Sequence, residues 1–120
     1  MGRLDIKIEN SKGKTLAIIE TFNLKGFDKA KIDGHIKKLF GYDPNGLEKN
    51  FIIVYSEDND FSRLWKMYLD NIYEIDFKFP LKGRKSEETG LSEIKLAKTT
   101  HMREDKEISI YHLFINMKPK

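Results

Sequence analysis

A chain of 120 residues with a net charge of +3 and no cysteine suits one domain with a single core, and it excludes a disulfide framework and a thiolate metal site. It contains no apolar run of about 18 residues, which excludes a transmembrane helix, and no apolar core after a basic start, which excludes a signal peptide. A cytoplasmic protein with no membrane partner fits these features, and the interspersed acids and bases give weak support for a polyanion partner.

The first quarter organises the rest. Gly2–Ile8 and Thr15–Glu20 read as two β-strands joined by a tight hairpin, each with one carboxylate, Asp5 or Glu20, inside an apolar run. A desolvated charge is expensive unless it has a partner, so two of them on adjacent strands suggest a site. Pairing parity decides whether they meet. With Lys12-Gly13 as a two-residue loop, Ser11 pairs with Lys14 and Asp5 falls opposite Glu20. A four-residue loop from Asn10 to Gly13 keeps that parity, whereas a three-residue loop sends the two acids to opposite faces. Two-residue loops containing Gly are the commonest, which favours the meeting. The competing reading is an edge hairpin whose acids point to water.

Thr21–Gly26 then leaves the strand and turns. A helix is expected from Asp28, its N-cap, to Phe40, with Ile32, Ile36, Leu39 and Phe40 on one face and Lys31, Lys37 and Lys38 solvated on the other. Gly34 weakens its middle by up to about 1 kcal/mol, which hints at close packing there. The turn Gly41–Gly46 ends it. Phe51–Tyr55 is an unbroken apolar run, the pattern of a central strand covered on both faces. With a helix before it, this strand should run parallel to the one ending at Glu20.

A second helix follows the acids of Ser56–Asp60, which suit a helix N-terminus. Its apolar face is Phe61, Leu64, Trp65, Tyr68 and Ile72, and Trp65 and Tyr68 read as core rather than as a stacking platform for bases. Ile75–Leu81 is extended and ended by Pro80. Lys82–Gly90 reads as a mobile polar loop. Two more strands, Glu93–Thr99 and Glu107–Met117, are joined by a charged loop, His101–Lys106. The expected fold is α/β (α+β): a small mixed sheet opened by a hairpin, with a β-α-β crossover and two helices packed on it, in one domain over residues 1–120.

Most chemical motifs are missing. There is no phosphate-cradling Gly-Lys-Ser/Thr loop and no dinucleotide fingerprint. His35, His101 and His112 fall on a helix, a loop and a strand without metal-ligand spacing, and read as isolated residues. Asp58 and Asp60 resemble part of a calcium loop that lacks its Gly and closing Glu. Asp5 and Glu20 remain.

The order Gly2-Arg3-Leu4-Asp5, hairpin, Leu16-Ala17-Ile18-Ile19-Glu20, helix, Phe51–Tyr55 and second helix resembles the PD-(D/E)XK, or restriction-endonuclease-like, nuclease superfamily over about Gly2 to Tyr73. The resemblance implies that Asp5 and Glu20 ligate a divalent metal, Mg²⁺ or Mn²⁺. Such a hard cation takes carboxylate oxygens, activates water and neutralises charge on the phosphate. The family also has a Lys two positions after the second acid. Here that position is Phe22, so Lys7, two after Asp5, is the candidate stand-in and Lys25 a second one. The family's helix before the first strand is missing too, which suits the C-terminal module of a larger protein or a fold that has lost its activity.

Two functions follow. One is a metal-dependent nuclease acting on DNA or RNA through Asp5, Glu20 and Lys7. The other is a degenerate, non-catalytic version that binds nucleic acid or serves as a protein-interaction or homodimer module; the missing Lys gives it a slight lead.

Overall fold

The computed structural model describes residues 6–41, 49–74 and 80–118. Along the chain these form strands β1 (Ile6–Glu9) and β2 (Thr15–Leu24), helix α1 (Lys29–Gly41), strand β3 (Lys49–Ser56), helix α2 (Phe61–Glu74), and strands β4 (Leu81–Glu87), β5 (Ile94–Arg103) and β6 (Lys106–Asn116). The strands make one mixed α/β sheet in the order β1-β2-β3-β6-β5-β4. β2, β3 and β6 are mutually parallel, while β1, on β2, and β5, between β6 and β4, are antiparallel to their neighbours.

This topology places the helices. The connections through α1, from β2 to β3, and through α2, from β3 to β4, join like-directed strands and step the same way along the sheet. Crossovers are right-handed, so both helices fall on one face. Ile18, Phe22 and Leu24 of β2, Ile52 and Val54 of β3 and Phe114 of β6 meet the helices there, with Ile36, Leu39, Leu64, Tyr68 and Ile72 facing them. Trp65 and Tyr68 are core as expected: Tyr68 is fully buried and Trp65 packs on Phe114.

The helix starts follow local chemistry. The Asp28 carboxylate accepts from the Lys31 N–H and that of Asp60 from the Arg63 N–H, both at 3.1 Å, which satisfies amide donors that a helix N-terminus leaves open. Asp60 thus caps α2, and the Asp58 carboxylate accepts from the Asp60 N–H at 2.8 Å.

Several elements depart from the sequence expectation. The first hairpin closes over a three-residue loop, with the Asn10 N–H donating to the Lys14 carbonyl at 2.9 Å and Gly13 at a φ of +80°. Such a loop alone would shift the parity, but Leu16 bulges out of the ladder between Ala17 and Thr15. The bulge inserts one residue on one strand and restores the register of a two-residue loop, Ile6 opposite Ile19 and Lys7 opposite Ile18. β2 does not leave the sheet at Glu20 but runs on to Leu24, because Phe22 and Leu24 keep the inward alternation. Lys82–Glu87 is strand rather than loop. It is an edge strand that joins β5 through its backbone, so its side chains stay mostly exposed and show no apolar period. β5 and β6 extend almost to their turn, with Arg103 opposite Lys106, so His101 lies in a strand. β3 is central but covered on one face only, since Phe51, Ile53 and Tyr55 stay half-buried. The expected strand from Ile75 falls largely outside the described residues.

Gly34 is exposed, and a Cβ built on it meets nothing within 4 Å. It marks no close approach. Gly34→Ala is therefore expected to stabilise the fold by about 0.5–1 kcal/mol through helix propensity and lost unfolded-state freedom, read as a higher urea midpoint at constant m.

Candidate acidic site and its histidine partners

Inward alternation along β2 places Glu20 between Ile18 and Phe22 beneath α1, and its side chain is fully buried. A carboxylate in such a place needs donors. One comes from α1: His35 Nδ1 lies 2.8 Å from Glu20 Oε2. With the carboxylate ionised it can only accept, and Nδ1 then carries the proton. Phe22, at the position of the resemblance's missing lysine, stacks flat on the His35 ring with centroids 4.2 Å apart and planes 2° from parallel. The hydrogen bond and the stacking together fix the plane and the tautomer of the imidazole. A carboxylate that orients a histidine in this way is the arrangement of general bases and of metal-binding histidines.

Lys7, opposite Ile18 and hence on the same sheet face as Glu20, is solvent-exposed on the edge strand. Lys25 is exposed just beyond the end of β2. Asp5 lies outside the described residues.

A second polar chain runs through the same face of the sheet. Register places Glu20, Ile52, His112 and Ala97 in one row across four strands, with Ile52 between the acid and His112. His112 Nδ1 is 2.7 Å from the Tyr68 hydroxyl and Nε2 is 2.9 Å from Thr99 Oγ1, which is itself 2.9 Å from His101 Nε2. All four side chains are fully buried. Burial holds the Tyr68 hydroxyl well above the usual phenol range. Tyr68 therefore donates to Nδ1, and Nε2–H donates to Thr99. Burial first, and the neighbouring His101 second, push the His112 pKa down to about 3, so the ring is neutral and one of its nitrogens is an acceptor, as the chain of hydrogen bonds requires.

The three histidines are thus not isolated residues. His35 serves Glu20, and His101 and His112 share Thr99. Their inward placement had a sequence signal: His35 lies three after Ile32 and four before Leu39, and His112 alternates with Ile110 and Phe114. Their partners had none, because those come from other elements. Among the described residues no group of three or more His, Asp or Glu is placed to hold a metal ion, and no helix is long and apolar enough to cross a membrane. No family model matches the chain, and searches of curated proteins and of solved structures gave no significant match.

Proposed function

We propose that this chain is a divergent restriction-endonuclease-like domain that binds nucleic acid and whose phosphodiesterase chemistry is degenerate. The observation that carries this reading is Phe22: the place of the motif lysine is filled by a ring that stacks on His35 and faces the core, while the second acid is kept on its strand and buried beneath α1. The hairpin, helix and parallel strand around it, β1-β2-α1-β3, follow the order that the resemblance implies. A Mg²⁺ or Mn²⁺ ion held by Asp5 and Glu20 would act as a Lewis acid on water and phosphate. A carboxylate suits such an ion, but Glu20 Oε2 is engaged by His35, and Lys7 is the nearest sequence substitute for the lysine.

Fluorescently labelled DNA and RNA oligonucleotides test the reading. Binding is expected to weaken steeply with salt, at about 0.7–0.9 units of log K per log salt for each phosphate neutralised, with no cleavage in Mg²⁺ or Mn²⁺. Cleavage that disappears in Asp5→Asn, Glu20→Gln or Lys7→Ala would instead establish an active metal-dependent nuclease. Undetectable binding at low salt, or a flat salt response, would remove nucleic acid and leave the protein-interaction reading, which the half-buried outer face of β3 favours.

A further inference from the structure

We infer that the helix-free face of the sheet is the interface of a homodimer, two copies packing sheet to sheet with their strands antiparallel. This inference does not depend on the nuclease-like reading. The centre of the face is apolar: Ile19, Phe51, Ile53, Tyr111, Leu113 and Ile115 all point away from the helices and are half-buried. Phe51 and Tyr111 stack on one another across β3 and β6 with centroids 5.3 Å apart. The apolar surface continues onto the edge strand, where Ile6 and Ile8 are 37% and 44% exposed. Apolar side chains gathered on one open face in this way are where interaction sites are found.

Size and charge both point to a second copy. A sheet of six strands, spaced about 4.8 Å apart and some 8 residues long at about 3.3 Å each, outlines roughly 600 Å² before side-chain relief is counted. Stable interfaces take about 800 Å² from each partner, and two such faces stack about 10 Å apart with strands within about 30° of alignment. Charge then sets the direction. Lys49 opens β3 and Glu57 follows its last residue, both in phase with Phe51, Ile53 and Tyr55. Glu57 is held at that end by its N–H to the Leu24 carbonyl at 2.7 Å and by the Asn23 amide on Oε2 at 3.2 Å. Ile53 is midway between Lys49 and Glu57 in the sequence. A half-turn about an axis in the interface, across the strands over Ile53, therefore lays Ile53 on its own copy and Lys49 on the partner's Glu57, twice over. That is the self-complementarity an isologous dimer requires.

A nucleic-acid strand fits this face less well, because the open depression of about 550 Å³ at its Lys49 end holds the carboxylates of Asp105 and Glu107 beside Lys98, Lys106 and Tyr111.

Sedimentation equilibrium of the 120-residue chain tests the inference. A dimer with a dissociation constant in the low micromolar range or below is expected, about −8 kcal/mol or stronger. Ile53→Glu should weaken it at least ~100-fold by burying a charge against its own copy, with an unchanged circular dichroism spectrum. Lys49→Glu and Glu57→Lys should each weaken it about 10-fold, and the double exchange should restore it to within about 3-fold. These two positions lie at the ends of β3, so their effects report on association even where Ile53→Glu disturbs folding. A monomer at about 100 µM, a dimer indifferent to Ile53→Glu, or a charge exchange that fails to restore would each overturn the inference. Salt-sensitive oligonucleotide binding to a monomer through Lys49 and Lys98 would replace it with a nucleic-acid face.

Discussion

His35→Ala is expected to lower the unfolding free energy by about 3 kcal/mol, because removing one partner of a buried pair leaves the other charge poorly compensated. Glu20 is fully buried, and the Nδ1–H of His35 reaches it at 2.8 Å from the adjacent helix. Without that donor the carboxylate stays in the core with one fewer hydrogen bond, and a flat ring is lost from the Phe22 stack. Glu20→Leu should cost less than His35→Ala, since an apolar group of similar size removes the need for the donor. In the double variant His35→Ala with Glu20→Leu, most of the loss from His35→Ala should disappear. Urea denaturation of the four proteins gives the coupling energy directly. A coupling below about 0.5 kcal/mol would mean that the two side chains act independently and that the dyad is incidental.

The second large effect is the response to acid. His112 has an ordinary pKa of 6.5 and one near 3 in the fold, through burial and then through His101. Between those values the unfolded chain binds a proton that the native state refuses. Stability contributed by this group is therefore complete above about pH 6.5 and falls as the pH drops towards 3. One pH unit across that window is worth about 1.4 kcal/mol, so the whole descent amounts to roughly 4–5 kcal/mol. Urea midpoints measured from pH 7 to pH 3.5 should fall more steeply for the natural chain than for His112→Gln, which has no ring to titrate. The comparison with the variant cancels the carboxylates that both proteins share. Parallel slopes would show that His112 takes up its proton without unfolding, against the buried chain of hydrogen bonds from Tyr68 to His101.

Much of this architecture was legible because it follows from periodicity. The helix stripes Ile32–Phe40 and Phe61–Ile72 and the apolar run at Phe51–Tyr55 are local patterns that burial then satisfies, and the parallel pairing of that run with β2 follows from the helix between them. β4 was not legible, because an edge strand paired through its backbone places no demand on its side chains. The hairpin register came out as expected along Ile6–Ile8 for an unexpected reason, a three-residue loop offset by the bulge at Leu16.

At the site, the chain by itself determined that Glu20 sits within an apolar strand and that no lysine follows it two residues on. Only the tertiary structure decided what answers that carboxylate. His35 is 15 residues away on a helix, and Phe22 became the support of its ring. The same holds for the sheet's two faces. Alternation divides the residues of β3 into two sets, but which set meets helices depends on the handedness and direction of two crossovers. Those are properties of the assembled chain, because a hydrogen bond or a covered face joins residues whose separation in sequence carries no pattern.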